Sequence, residues 1–600
     1  MSLTAGYHHE TGAKSLRAKT WMIMKLTVIF LLFLVFQVSA KNYAQKINII
    51  KKHAALLDVF KDIEQQTGFL FFYDKALIQK VEPIDISLTN ATLKEATEGA
   101  ALVTGTYRSL ANYTGGAGDY GNFLPCTVEY PTGKAYTTDA HPQFFKFQTN
   151  QVSGGTLSDY DNFWNNEYQG VRDCNLAISK ISGIKDWTAS QQSAALGEVR
   201  TLRAFYYFML VRYYGDLEMD TSNLKSVGDA QQPRVSLKDI YDQEIIPDLE
   251  YAVNTSTLID AQSGNGRITK FISRAILADV YLTCAGYPYQ EVATDPSKKW
   301  CTDGLFTQTS YPVNTPGAKS FLLKAQTQLN ALYGQYTLGT YRDLHTPGNI
   351  NNKGEAIFQA QYLGGVNDMS GFVNCLLPVQ SHISQLGDEY GTDVPTLGYI
   401  ASYNPADKRI QDRQMFFYSD TYAKKFDPNQ GPADKFSQGY VYKYYDSAAV
   451  KAGGGANLNY TFYRYADMLL MQTEVNWSLR QLGTAVSDND ITKGINEVRE
   501  RALLPDYLAS DINLKSIMSE RAYELILENK MLWDQRRTRM CLVDGVGSFS
   551  AIQSFFGHQP TGFSFAFSAM NLLCPISQRE IATNAKCLQN FNFLPKQVGQ

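Results

Sequence analysis

The sequence predicts a mainly α protein: a stacked array of paired helices joined by long loops with short strands, with a small α/β segment ahead of it. Three observations carry this. Residues 199–216, VRTLRAFYYFMLVRYYGD, place Leu202, Phe205, Tyr206, Met209 and Tyr213 on one helical face and Val199, Arg203, Tyr207, Leu210 and Tyr214 on another. A helix apolar on two faces must be buried between neighbours, so it is an inner member of an array. Upstream, Trp164, Tyr168, Val171 and Asn175 recur at helical spacing, whereas residues 46–97 alternate between strand and helix periods.

Residues 46–97 read as a short strand, a helix from Leu56 to Gln66, and a turn at Thr67-Gly68. Strands follow over Phe69 to Tyr73 and Ile84 to Leu88, and Asn90 to Thr92 open a second helix. Further helices are expected near 95–112, 161–181, 189–214, 237–254, 268–285, 317–334, 461–482, 490–503 and 513–540. Asp488-Asn489-Asp490 is expected to cap the helix at Ile491. The connections 113–158, 286–316 and 340–460 are rich in Gly, Pro, Asn and aromatics, and loops this long are functional or internally structured. Within the last, EAIFQAQYL at 355–363 alternates and predicts a short strand.

At 600 residues the chain exceeds one ordinary core and points to two or more units. Apolar residues at 44% and charged residues at 19% describe a globular protein, and a net charge of -3 offers nothing to nucleic acid. The excess is aromatic, with 38 Tyr, 32 Phe and 6 Trp. A tyrosine has an apolar face and a polar rim, which suits a sugar ring, although most aromatics in such an array simply pack. Cysteines at 126, 174, 284, 301, 375, 541, 574 and 587 show no C-x-x-C spacing and no histidine pair nearby, so no Cys/His metal site is expected. Cys284 and Cys301 are the nearest candidates for a disulfide, beside the alternative of free, buried thiols. Met24-Lys25, an apolar run from Leu26 to Phe36, and small residues at Val38 and Ala40 read as a signal peptide over 1–40 with an extended n-region. That run is shorter than the roughly 20 residues of a membrane span.

The Trp164 to Asn175 pattern and residues 199–216 together resemble the SusD/RagB family, outer-membrane nutrient-binding proteins of polysaccharide-utilisation systems in Bacteroidetes. The resemblance continues in order through GRITKFISRAILADVYLTCAGYP (266–288), FYRYADMLLMQTEVNW (462–477), INEVRERALLP (495–505), IMSERAYELILENKMLWDQRR (517–537) and CPISQREIATNAKCLQNFNF (574–593). It covers residues 98–600 and implies tetratricopeptide-like helical pairs, although no strict repeat is visible. It also implies a non-catalytic protein without cofactor or metal. Such a protein binds oligosaccharide or polysaccharide at the outer membrane and delivers it to a SusC-type TonB-dependent transporter. By region, it implies ligand contacts from Asp119, Tyr120, Asn122, Phe123, Tyr130 and Tyr136, with Tyr113 and Asp139 beside them, and from Tyr287, Tyr289 and Trp300 in the loop after the second paired helix.

Residues 41–97 resemble a partial STN domain, a small βαβ signalling module of secretins and TonB-dependent transporters, and QVSAKNYAQ resembles the signal end of a SusC-type transporter. The lipidated cysteine that the family carries after its signal peptide has no counterpart before Cys126. Two locations therefore stay open, the outer membrane and the soluble periplasm. The join reads most simply as an in-frame fusion of neighbouring genes, by deletion or by misassembly, with a deliberate signalling-and-binding fusion as the other reading.

Rival chemistry is weaker. Glu520, Glu524 and Glu528 sit one turn apart, about 6 Å along the axis, within the span of glycosidase pairs. They leave one cylinder in parallel instead of flanking a bond, and Arg521, Arg536, Arg537 and Arg539 offer charge partners, so ion pairing is expected. No H-E-x-x-H or G-x-S-x-G motif occurs, and Asp488-Asn489-Asp490 lacks the other ligands of a calcium loop. The alternative to glycan binding is a tetratricopeptide-like scaffold that grips proteins or peptides.

Overall fold

The computed structural model describes residues 46–67, 84–111, 129–137, 158–220 except 186, 231–294 except 265, 310–344 except 343, 354–362, 376, 391, 394–419, 435–445 and 459–590. The chain divides into two compact units, Met1–Ala96 and Thr97–Gln600. In the first, β1 (Lys46–Ala54) pairs antiparallel with β2 (Ile84–Thr92), Ile49 opposite Leu88. The helix α1 (Leu56–Thr67) buries Val59 and Ile63, one turn apart, and Ile49 of β1 is buried with them. Gln66 locks α1 to β1 by accepting from Asn48 N at 2.7 Å and donating to its carbonyl at 2.9 Å. The expected strand over Phe69 to Tyr73 lies outside the described residues.

The helix α2 (Leu93–Gly105) starts directly after the expected opening at Asn90 to Thr92 and stops at a turn before α3 (Arg108–Ala111). The break is held by tertiary bonds, because Tyr206 donates to the Thr106 carbonyl at 2.6 Å. Next come β3 (Ala135–Tyr136), α4 (Ser158–Ile181) and α5 (Ala189–Tyr214). Thr188 and Gln191 form a reciprocal capping box at the start of α5. Both predicted faces of α5 are buried, and Gly170 lets α4 approach until a Cβ there would lie 2.6 Å from the Tyr206 ring. The Trp164, Tyr168 and Asn175 pattern holds the chain leaving α5: Trp164 meets Tyr214 edge-on at 4.9 Å, Tyr168 donates to Glu218 O at 2.9 Å, and Asn175 to Asp220 O at 2.8 Å. Arg203 extends to Asp248 at 2.6 Å and Asn175 at 2.8 Å, so the cation in the second predicted face of α5 is engaged.

The helix α6 runs through Leu237–Ile240, a π turn Tyr241–Ile245 and Ile246–Asn254. It is followed by α7 (Lys270–Ala285), α8 (Tyr289–Thr294) and α9 (Pro316–Leu332). The middle of the chain supplies β4 (Ala356–Ala360), β5 (Val394–Pro395), α10 (Leu397–Ala401), β6 (Phe416–Ser419), β7 (Lys435–Val441) and β8 (Tyr460–Arg464). The array closes with α11 (Tyr465–Gln481), α12 (Asp488–Arg501), α13 (Leu514–Glu524), α14 (Met531–Thr538), β9 (Met540–Val543), β10 (Ala551–Ser554) and α15 (Gln578–Thr583). Successive helices pack as neighbours, α4 on α5, α5 on α6, α6 on α7, α7 on α9, α9 on α11 and α11 on α12. No helix among the described residues is long and apolar enough to cross a membrane.

Three expectations are corrected, the first two by long-range contacts and the third by a local cap. The helix expected from 461 begins at Tyr465, because 460–464 pairs as β8 with β4. The helix expected over 513–540 is two, since Leu527 and Asn529 adopt left-handed φ of 55° and 58°. Its carbonyls are taken by other segments: Lys443 donates to Glu524 O and Ile526 O at 3.1 and 3.2 Å, and Tyr444 to Leu527 O at 3.0 Å. The cap of α12 is Ser487, which accepts from Asp490 N at 3.1 Å and moves the helix start to Asp488. Cys284 is a free, buried thiol, and Cys301 lies outside the described residues.

Glu520, Glu524 and Glu528 are buried and ion-paired, but not with the arginines next to them in sequence. Arg464 reaches Glu355 at 2.8 Å, Glu524 at 2.7 Å and Glu528 at 2.7 Å. Arg409 joins Asp407 and Glu520, both at 2.7 Å, and Arg499 meets Glu520 at 3.0 Å. Arg521 pairs with Asp467 and Asp534, Arg537 with Glu474 and Asp534, and Arg539 with Glu291, while Arg536 donates to the Asn571 and Arg212 carbonyls. Burial alone would raise the Glu524 carboxyl, but Arg501, Arg464 and Arg409 outweigh it and hold it at about 2.

Two outcomes follow for stability. Tyr207 is fully buried and both donates to Asp220 O and accepts from Asp220 N, so Tyr207→Ala is expected to cost about 3–5 kcal/mol in denaturant unfolding. Arg464→Leu takes one shared cation from three buried carboxylates, leaving Glu355 and Glu524 to Arg501 and Glu528 to Lys443 with one negative charge uncompensated, and is expected to cost about 3–5 kcal/mol at neutral pH. Glu524 is depressed in the folded state, so its contribution is complete above pH 4.5 and lost as pH falls towards 2. The Arg464→Leu deficit should therefore shrink across that acid window; a deficit independent of pH would contradict the ionic account.

Candidate functional site

A half-buried aromatic face forms where β3, β5 and the β6–β7 hairpin meet. β3 pairs with β5, Tyr136 opposite Val394, and β6 pairs with β7, Phe417 opposite Tyr440. The period of two along β7 puts Phe436, Gln438 and Tyr440 on one face. Gln438 ties the pieces together, donating to Pro395 O at 3.2 Å and accepting from the Tyr136 hydroxyl at 3.1 Å. Phe417 is the fully buried base, with ring centroids 5.3 Å from Phe436, 5.8 Å from Tyr442 and 6.0 Å from Tyr445. Tyr442 and Tyr445 stack at 5.2 Å with planes 16° apart. On the hairpin's other side the Tyr418 ring lies on Gly439, where a Cβ would come within 2.7 Å of it, so only glycine lets the ring close onto the strand. Tyr136, Tyr418, Phe436, Gln438, Tyr440, Tyr442 and Tyr445 all stay partly exposed.

Chemically this face offers flat rings with polar rims. Burial raises the Tyr440 phenol, so it remains protonated and able to donate. Such a surface can stack on the apolar face of a ring compound while hydroxyls and the Gln438 amide bond its edge.

Of the residues proposed from sequence, the structure brings Tyr136 into this face. Tyr130, Tyr287 and Tyr289 are 0%, 2% and 4% exposed, so their rings belong to the packing and not to an open surface. Tyr289 donates to Asp242 at 2.7 Å and meets Phe321 edge-on at 5.2 Å, while the Tyr287 ring lies 5.3 Å from the Arg539 guanidinium. Tyr113, Asp119, Tyr120, Asn122, Phe123, Asp139 and Trp300 lie outside the described residues. Sequence reading missed Phe436, Gln438, Tyr440, Tyr442 and Tyr445, although KFSQGYVYKYY at 435–445 alternates at strand period within a stretch read as a long connection.

A cavity of about 30 Å³ beside Arg212, Tyr241, Tyr287 and Trp533 has room for a water or two and not for a sugar ring. Glu218, Glu580 and Cys587 bring ligand atoms within 4.8 Å of one another, a separation that a cation could bridge. Burial, then Glu580, raises the Glu218 carboxyl to about 8.

Comparison with known proteins places the fold. The chain matches the SusD family over residues 348–593 and the family described as starch-binding associating with outer membrane over 107–282. A SusD superfamily protein from Parabacteroides distasonis ATCC 8503 is 30% identical, with 83% of this chain covering 99% of that one at a TM-score of 0.72. This chain belongs to the SusD superfamily. SusD-like protein P2 of Formosa agariphila is 23% identical over 489 residues, 76% of this chain and 86% of that protein. Surface glycan-binding protein A from Bacteroides thetaiotaomicron, solved in complex with laminarihexaose, shares the fold at a TM-score of 0.62 and 17% identity, covering 82% of this chain and 99% of that one.

The burial difference can be measured. Tyr289→Ala is expected to cost about 3–5 kcal/mol in denaturant unfolding, whereas Tyr136→Ala, at a half-exposed position, should cost about 1 kcal/mol or less. Equal losses for both would remove the distinction between packed and presented tyrosines.

Proposed function

We propose that this SusD superfamily member binds an oligosaccharide or polysaccharide without cleaving it, through the aromatic face around Tyr136, Gln438 and Tyr440, and passes it to a partner TonB-dependent transporter. The observation that carries the reading is that face: the stacked, partly exposed pair Tyr442 and Tyr445 together with the Gln438 amide bonded to Tyr136, in a chain that shares its fold with a surface glycan-binding protein solved in complex with laminarihexaose. The buried carboxylates support a non-catalytic role, since Glu520, Glu524 and Glu528 are neutralised by Arg409, Arg464, Arg499 and Lys443 in the interior. A peptide-gripping scaffold is less favoured, because both faces of α5 are already filled by neighbouring helices. Trp300, Asp119, Tyr120, Asn122 and Phe123 remain proposed contributors.

The same reading puts the protein outside the inner membrane, exported by residues 1–40 and working at the outer membrane, with residues 41–97 as a signalling-type module derived from a transporter. Cell fractionation with palmitate labelling distinguishes a tethered from a soluble periplasmic form.

Binding is tested by a glycan array followed by calorimetry on the strongest hit. Tyr440→Ala, Tyr442→Ala and Trp300→Ala are each expected to weaken it about tenfold, the loss of one stacking partner, at unchanged melting temperature. No binding to any plant, host or microbial glycan, with tight binding to peptides, would replace this reading by the scaffold.

A further inference from the structure

The two roots of the aromatic face converge on one buried turn. Glu129 precedes the 3₁₀ turn Tyr130–Thr132, which leads through Gly133, at φ 76°, into β3 and Tyr136. Lys443 lies between Tyr442 and Tyr445. Both reach the 525–530 turn that separates α13 from α14. Glu129 accepts from Asn529 N at 2.9 Å, and Lys443 donates to Glu524 O and Ile526 O and pairs with Glu528. Glu129 is 0% exposed, and its second carboxyl oxygen has no hydrogen-bond partner among the described residues.

An ionised carboxylate placed so would be desolvated with only the Asn529 and Leu527 backbone donors and the Lys443 ammonium to offset it, whereas the neutral acid carries no such penalty. The groups facing Glu129 are Lys443 and Tyr444 after β7, Glu528 in the turn, Tyr399 on α10 and Tyr460 on β8. Burial keeps the three phenols above their ordinary value, so Lys443 and Glu528 supply the nearby charge. Burial raises the Glu129 carboxyl to about 8 and lowers the Lys443 ammonium to about 8. At neutral pH the set is an acid, an ammonium and the Glu528 carboxylate; in mild alkali it becomes two carboxylates facing each other as the ammonium fades.

We propose that Glu129 is a proton-gated positioning residue, whose acid form anchors the β3 root of the aromatic face to the turn and whose ionisation releases it. The sign is set by the raised folded value: this contribution is complete below pH 4.5 and lost as pH rises through 8. The functional meaning rests on the glycan-face reading, but the anchor itself can be tested without sugar.

The test is hydrogen exchange read by mass spectrometry on the full-length protein between pH 6.5 and 9, corrected for intrinsic exchange. Peptides covering 130–137 should lose protection about thirtyfold in the wild type as pH rises from 6.5 through 8 and level off above it, since only the folded acid holds its proton over those roughly 1.5 pH units. Glu129→Gln keeps the acceptor for Asn529 N and cannot ionise, so its profile should be flat. Glu129→Met removes the acceptor, and its peptides should be less protected at every pH. A flat wild-type profile overturns the proposal whatever the variants do. So does a Glu129→Gln profile that follows the wild type, which would hand the transition to Lys443.

Discussion

The interior of this protein is organised by an ionic lattice on the α13–α14 segment. Glu520 and Glu524 leave α13 and Glu528 the turn after it, and they meet cations from four other places: Arg409 after α10, Lys443 after β7, Arg464 at the end of β8, and Arg499 and Arg501 at the end of α12. Removing any one member leaves charge uncompensated in the core, so these segments are tied into one arrangement. The lattice makes α13 a hub to which the array and the middle of the chain are both fastened.

The same segment explains why two stretches that look like loops in sequence end up structured. The strands β6 and β7 are short and form a two-stranded hairpin, a unit too small to be stable alone. The hairpin is fixed through Lys443 and Tyr444, which reach the carbonyls of the 524–527 backbone, and through Phe417, buried under its aromatic neighbours. Presentation of the face is thus a consequence of core electrostatics: the tyrosines stay half-exposed because the residues between them are anchored inside. Gln438 then sets the relation of β7 to β3 and β5 through two hydrogen bonds.

The sequence by itself determined the helical array. Helix periodicity is local, and two apolar faces on α5 can only be satisfied between neighbours, so the burial of Tyr206, Tyr207, Tyr213 and Tyr214 was legible from their spacing. The strand and helix pattern of residues 46–67 was legible for the same reason, as was the ion-paired fate of the α13 carboxylates. Only the tertiary structure decided which cations they meet, because Arg409 and Arg464 are brought to Glu524 from 115 and 60 residues away. It also decided that the helix after 513 breaks, since carbonyls claimed by Lys443 and Tyr444 are lost to helix propagation. Among the candidate contacts, Tyr130, Tyr136, Tyr287 and Tyr289 share the same chemistry and similar glycine- and proline-rich surroundings. Which of them faces solvent depends on what packs against the ring, and that is a property of chain segments hundreds of residues apart.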